Sequence, residues 1–437
     1  MSLPKKDIPG PVFESTSVRR TLAFILCALY FTSCQASKPD QRTELTFWTI
    51  SLSPSYDEYI HGLIAQYESE NPHIKLQWVD LPQFASRQKL MAGIAAGEPP
   101  DLVNTSTEFA LVLAEQGAIT GLNSELSGTE KGRYFPNLWS ATQLGDDVFA
   151  LPWYVTTKVV MMNKSLLEQA GLDSEKAPET LEELDRYARQ VTQKTDAVGL
   201  MPAIRIWNDW SMEGAPFLDK EKLEPLFTAP ESIEVLQRYV DLYKDGVMPP
   251  ETLTEGYRGA LDRYKAGSLA FLEAGPQFLL RIKADAPSIY KQTAVAPMPQ
   301  TQTNTLPAST MNFVVPRSSP NRKEAIKLGL FLTSPIAQLE FCKQVPILPS
   351  TIESTKDSYF SKAGDGDSLQ SEAVQISLAQ LPRARDFNLA LPRQKDLMRT
   401  LKNSVEEALR GQKTSEQALR EAAQAWSTTL APFRKAP

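Results

Sequence analysis

Cysteine and histidine are nearly missing from this chain, which has three of the first and two of the second in 437 residues. His61 and His73 stand apart, and no HExxH, paired CxxC or His-rich tract occurs. A structural or catalytic zinc site is therefore not expected, and neither is any other cofactor. Cys27 and Cys34 lie near the N-terminus, so Cys342 has no partner in the remainder of the chain. A lone thiol of this kind is most simply a small buried hydrophobe. Long apolar runs are equally scarce: past Phe31 nothing approaches the roughly 20 residues that span a bilayer. Basic groups are outnumbered, 46 against 52, for a formal charge of −6. That balance argues against nucleic acid, whose phosphates need a basic face, and leaves no polybasic patch for a membrane surface.

What is present begins with Arg19–Asp40, RRTLAFILCALYFTSCQASKPD. Two arginines precede an apolar core, Thr21–Phe31, too short to cross a membrane. Thr32 and Ser33 are small, Cys34 follows, and a polar run continues to Thr43. The order reads as an export signal and looks like a bacterial lipobox, with Phe31 where an aliphatic residue is usual. The expectation is a signal peptide over 1–33 and a lipidated tether over 34–43. The mature protein then stands on the periplasmic side, anchored to the cell membrane through lipid at Cys34. An uncleaved N-terminal anchor, with Cys34 a bystander, is the alternative. Without residues 1–33 the chain keeps 42 basic and 50 acidic residues, a charge of −8.

A chain of this length exceeds one hydrophobic core, so two lobes are expected. Leu45–Ile50 is β-rich, Tyr56–Glu70 carries a helical apolar stripe ended by Pro72, and Ile74–Val79 alternates. Strand, helix and strand in about 35 residues form a βαβ unit and imply a parallel sheet covered by helices. Further helices are expected from Phe84 to Ala96, from Ser106 to Gln116, behind a capping box at Thr180–Glu183, over Ser232–Lys244, and behind a cap at Ser415. Lys356–Ser371 reads as a surface loop, and Asp365-Gly-Asp367 within it as a solvated turn.

These segments follow a known order. LTFWT (Leu45–Thr49), IAQYESENPHIKLQWV (Ile64–Val79), LMAGIAAGEPPDLV (Leu90–Val103) and LPWYVTTKVVMMNKSLLEQAGLD (Leu151–Asp173) come first. PETLEELDRYARQVT (Pro178–Thr192), FTAPESIEVLQRYVDLYKDGVMP (Phe227–Pro249), YKAGSLAFLEAGPQF (Tyr264–Phe278) and VVPRSSPNRKEAIKLGLFLTSP (Val314–Pro335) follow. From Leu45 to Leu430 the chain resembles extracellular solute-binding protein family 1, the sugar-binding component of ATP-driven (ABC) importers. Met162 stands where the family's Tyr-Asn-Lys has its Tyr, and Gln277 where Gly-Pro-Trp has its Trp.

The resemblance implies an α/β, two-lobed periplasmic-binding-protein fold (type II-like) with a ligand cleft between lobes. The expected division is 44–154 with 295–334 for the N-terminal lobe, and 155–294 with 335–437 for the C-terminal lobe. Crossings are expected near 155–157, 294–297 and 333–337.

Ligands of open α/β sheets sit beyond the carboxyl ends of strands. That rule selects Trp48 and Thr49 after the first strand, and Ser106 and Glu108 after the third. Sugars need flat apolar surfaces and planar hydrogen-bonding groups. Trp207, Asn208, Asp209 and Trp210 offer both within one tetrapeptide. Trp153 and Tyr154 fall at the expected crossing, Glu273 and Gly275 in the Gly-Pro-Gln stretch, and Asn312 before a β-rich run. A Trp at a strand end serves a core as readily as a ligand, and Asp209 and Glu273 read equally as surface charges. Trp78, Trp139 and Trp426 read as structural, and Arg385 with Asp386 as an exposed ion pair.

The expected function is capture of a sugar or sugar-like osmolyte and its delivery to the ABC permease subunits, by a monomer that performs no chemistry. A binding protein for a polyamine or another small cationic solute is the alternative, followed by an exported glycoside hydrolase with paired carboxylates.

Overall fold

The computed structural model describes residues 42–361, 368–389 and 391–434. Cys34, the signal and Asp365-Gly-Asp367 lie outside them. The tether expected to end at Thr43 gives way one residue earlier, because Thr43 already pairs with Ile74 in the first sheet.

The first sheet grows from the βαβ unit. Strand β1 (Thr43–Ile50) and strand β2 (Ile74–Leu81) run parallel, in register from Thr43–Ile74 to Ile50–Leu81. Helix α1 (Asp57–Glu70) joins them and buries Tyr59, Ile60, Leu63 and Tyr67, the stripe that helical spacing dictates. Helix α2 (Gln83–Ala96) stops at Gly97, whose φ of 76° is the left-handed cap that glycine adopts without strain. Strand β3 (Leu102–Ser106) pairs on the other side of β1. Along β1 neighbouring side chains enter different cores: Leu45 and Phe47 face one, Trp48 the other. Both faces are covered, as a parallel sheet requires.

Strand β4 (Leu151–Thr157) ends one residue before strand β5 (Val159–Asn163). The first belongs to the large sheet and the second to a separate one, so Lys158 is the whole of this crossing. In β5, Val160 and Met162 enter one core while Val159 and Met161 enter another. The second sheet has the order β8-β5-β7-β6, with β6 at Val198–Leu200, β7 at Leu269–Ala274 and β8 at Thr293–Ala296. Around it pack α4 (Lys164–Gln169), α5 (Leu181–Lys194), α6 (Ile206–Met212), α7 (Pro230–Lys244), α8 (Gly256–Lys265) and α9 (Phe278–Asp285). Helix α3 (Thr107–Glu115) belongs to the first lobe.

The chain returns through 297–305 to strand β9 (Leu306–Val314), which inserts antiparallel between β3 and β4. Helices α10 (Arg322–Leu332) and α11 (Pro335–Gln344) then stay with the first lobe. This corrects the expected crossing at 333–337 and the assignment of 335–360 to the second lobe; 155–157 likewise belong to the first sheet, and 295–296 to the second. Ala337, Phe341 and Cys342 fill the core beneath the first sheet, and β10 (Leu348–Pro349) pairs with β4. The stripe of α11 finds its apolar partner there, and burial rather than chain order decides the side. Crossing comes later. Helix α12 (Ser368–Gln380) places Ala373 in a second-lobe core and Val374 in the first. Strand β11 (Ala384–Arg385) rejoins β9, and α13 (Gln394–Leu409) and α14 (Ser415–Leu430) finish in the second lobe.

Two local expectations change. Thr414, not Ser415, caps α14, in a reciprocal box with Gln417, while Ser415 turns inward to Gln237. Thr180 does cap α5, but Glu183 reaches past it to the Glu179 amide. Cys342 is buried, and enclosure pushes its thiol far up. Among the described residues no helix is long and apolar enough to cross a membrane.

Candidate binding cavity between the lobes

A cavity of about 640 Å³ opens where the crossings meet the second lobe. Its walls are the ends of β4 and β9 (Thr156, Thr157, Ala308, Ser309), the crossing residues Lys158, Met298, Pro299, Thr301, Gln302 and Thr305, and faces of α5, α6 and α7. The volume lies within the range of roughly 300–1,000 Å³ that small-molecule sites occupy.

The tetrapeptide Trp207–Trp210 forms the middle of α6, and helical geometry divides it. Ile206 and Trp210, four residues apart, face the core, while Asn208, Asp209, Met212 and Glu213 face the cavity. Trp210 is 0% exposed. Its ring stacks on Phe227 at 5.1 Å, and its Nε1 donates to the Ser232 carbonyl at 2.8 Å. Trp207 packs half-buried against the same core. The paired tryptophan platform is thus replaced by the polar residues between them. Aromatic surface comes instead from Tyr239, Tyr257 and Phe278, the last two edge-to-face at 4.9 Å.

Glu273 and Gly275 also line the cavity. Glu273, near the end of β7, holds Lys158 at 3.3 Å. At Gly275 the Gln277 amide folds back so closely that a Cβ would lie 2.3 Å from Gln277 Oε1, so a larger residue there would turn that side chain aside. On α7, Arg238 grips Asp185 of α5 through two hydrogen bonds of 2.6 Å each. Enclosure works against the Arg238 charge, yet Asp185, with Asp209 beyond it, holds the guanidinium protonated. Burial pushes the Asp209 carboxyl up to about 7 against the pull of Arg238, and Glu273 adds to the rise. The Tyr239 hydroxyl and Lys158 pull it down. Glu213 is raised too, by burial first. Asn208 Oδ1, Asp209 Oδ2, Glu213 Oε1 and Gln277 Oε1 are enclosed with no hydrogen-bond partner.

The remaining expected contacts do not line this cavity. Trp48 is buried in the first lobe with the Lys89 ammonium over its ring. Thr49 Oγ1 donates to Asp80 at 2.6 Å and accepts from Trp78 at 2.7 Å, so its hydroxyl is committed to the fold. Ser106 caps α3, and Glu108 pairs with Arg87 at 3.5 Å. Trp153, 1% exposed, stacks on Phe341 at 5.1 Å, and Tyr154 meets that ring edge-on. Asn312 is wholly buried and donates to Thr107 Oγ1 at 2.9 Å. Arg385 spends its guanidinium on the Pro382 and Ala384 carbonyls, while Asp386 accepts from the Thr310 amide instead of pairing with it. Trp426 is a core residue, as read from its spacing, and donates to the Leu397 carbonyl.

Residues 53–339 match the family model described as bacterial extracellular solute-binding protein. The chain belongs to that family. This solute-binding protein is 30% identical to a Synechococcus sp. MITs9220 periplasmic-binding protein provisionally assigned to oligosaccharides. The likeness covers 90% of this chain and 100% of that one, with a TM-score of 0.82. A binding protein of Brucella abortus (strain 2308) is 23% identical over 415 residues, 93% of this chain and 97% of its own length. The cyclic alpha-maltosyl-1,6-maltose binding protein of Arthrobacter globiformis shares the fold at 20% identity, a TM-score of 0.76, and coverage of 90% and 100%. The family and these neighbours are binding proteins of two-lobed architecture, and the family is extracellular.

The sequence reading of this solute-binding protein missed Lys158, Asp185, Arg238, Tyr239, Glu213 and Tyr257. Arg238 and Asp185 are 53 residues apart and lie on separate helices, so no spacing rule connects them. Glu213 had a signal, standing one helical turn beyond Asp209.

Proposed function

We propose that the protein captures a carbohydrate or sugar-like osmolyte in the interlobe cavity and delivers it to the membrane subunits of an ABC importer. The observation that carries this reading is the cavity itself. Enclosed oxygens of Asn208, Asp209, Glu213 and Gln277 lack partners beside the rings of Tyr239, Tyr257 and Phe278. Ligand hydroxyls donate to such oxygens, and C–H faces lie against such rings. The Synechococcus neighbour's assignment to oligosaccharides supports the same class. Lobe closure about the crossings then buries the ligand and presents a shaped surface to the permease.

The protein acts by binding alone, as a monomer. It is exported and held at the membrane by lipid on Cys34. Chromogenic glycosides are expected to show no turnover, gel filtration a single-chain mass, and mass spectrometry an acylated N-terminal peptide that Cys34→Ala removes.

Calorimetric titration of the purified protein with mono- and oligosaccharides and small polyols tests the main reading. Saturable heat with at least one member is expected, and none with any would reject it.

A further inference from the structure

We infer that the inner end of the ligand carries a protonated amine, seated against Asp209 and Glu213. This rests on the carbohydrate reading in one respect: the amine-bearing ligand is then an amino sugar or amino polyol.

The first support is the kind of partner that is missing. Six enclosed oxygens in the lining lack a hydrogen bond: Thr157 Oγ1, Asn208 Oδ1, Asp209 Oδ2, Glu213 Oε1, Tyr257 Oη and Gln277 Oε1; the two hydroxyls can donate or accept, while the amide and carboxylate oxygens accept. Among the described residues, no enclosed nitrogen donor of the lining is left unpaired. Four of the six sites are thus ones that a ligand donor fits, and they gather around Asp209 and Glu213. A hydroxyl brings one donor and two lone pairs of its own, whereas an ammonium brings three donors and no lone pair. The second matches the demand better.

Charge supplies the second support. Among the lining cations, Arg238 is committed to Asp185 at 2.6 Å and Lys158 to Glu273 at 3.3 Å. Arg205 is exposed at the rim. Among the described residues, Asp209 on α6 and Glu213, one turn on at the helix's C-terminal cap, have no ion-pair partner, and Glu182, Glu231 and Glu234 add further negative charge toward solvent. Unpaired carboxylates in an enclosed place cost stability unless something neutralises them. Burial raises both carboxyls above their ordinary range, Asp209 to about 7, so that without ligand Asp209 holds a proton part of the time at neutral pH. An ammonium entering beside them displaces the proton of Asp209 and satisfies both carboxylates as ions. Binding is thereby coupled to proton release near neutral pH.

The test is calorimetric titration of the full chain at pH 7 and low salt. The ligands are chitobiose, which carries two free amines, its N-acetylated form, cellobiose and spermidine. Chitobiose is expected to bind at least about tenfold more tightly than either neutral disaccharide. Added salt weakens it selectively, and its heat depends on the ionisation enthalpy of the buffer. Asp209→Asn and Glu213→Gln, each checked for a cooperative thermal transition, bring chitobiose and cellobiose to within about threefold of each other. Neutral disaccharides binding as tightly as chitobiose in the wild type would overturn the amine site and leave the carbohydrate reading standing. Spermidine binding above every sugar would keep the amine site and remove the carbohydrate reading. No binding by any of the four rejects the amine site, while the broader saccharide and polyol panel decides the carbohydrate reading.

Discussion

Gln380 holds the backbone of Lys158: its Nε2 donates to the Lys158 carbonyl at 3.1 Å. The same side chain accepts from the Met298 amide at 2.7 Å through Oε1. One buried amide at the end of α12 thus ties together two passages between the sheets. Gln380→Ala leaves both backbone groups unsatisfied, at a cost of about 1–3 kcal/mol. Urea unfolding should show that loss. Small-angle scattering of the ligand-free variant should show a wider spread of lobe separations than the wild type, and an unchanged profile would confine Gln380 to stability alone.

Asp185 and Arg238 form the ionic brace of the cavity, with side chains 14% and 25% exposed. Arg238→Met strands Asp185 and removes the main cation beside Asp209. Breaking a buried pair costs roughly 3–5 kcal/mol, and this partly open one about 2 kcal/mol. Denaturant midpoints give the cost. The double variant Asp185→Asn, Arg238→Met should recover part of it, because no charge is then left alone.

The tryptophans of α6 separate packing from ligand contact. Trp210→Ala opens a void between Phe217, Phe227 and Trp426 and should cost about 3–5 kcal/mol. Trp207→Ala, from a half-buried site, should cost about 1–2 kcal/mol. If Trp207→Ala instead abolishes ligand affinity in a protein that melts normally, the aromatic platform expected from the sequence is restored.

Acidity reads out Asp209 directly. Its carboxyl moves from 3.8 to about 7 on folding. Arg238 and Tyr239 on α7, Glu273 on β7, Lys158 at the crossing and Glu213 on its own helix surround it. Between those two values the folded protein keeps a proton that the unfolded chain releases. The group's contribution therefore declines as pH rises through that window and is lowest above 7. Asp209→Asn should gain stability relative to wild type as pH goes from 5 to 8, by about 1–3 kcal/mol at the upper end. A difference in melting temperature that stays flat with pH would exclude Asp209 as the titrating group.

Local chemistry made the scaffold legible and tertiary chemistry hid the site. The run LTFWTI, the stripe through Ile60, Leu63 and Tyr67, and the glycine at 97 gave β1, α1 and the end of α2 within a residue or two, because each is decided by near neighbours. Asn208, Asp209, Glu273 and Gly275 were readable as polar or small residues among aromatics and prolines. The direction in which Trp210 turns was not, since it depends on Phe227 and on Ser232, 22 residues further along and on another helix. The same holds for α11. Its apolar residues announce burial, but only the vacant space beneath β4 says where.

The alternation of the chain between sheets has a consequence for inheritance. The first lobe is written in separate stretches of the sequence, 43–157, 306–360 and 384–385, interrupted by the second. No single cut in the gene frees either half. A deletion or duplication that ends inside one lobe removes strands from the other, and Lys158 offers no linker length in which to absorb the error. Exchange of one half between relatives therefore demands several matched junctions at once, so the lobes of such a protein are expected to change together rather than to be traded.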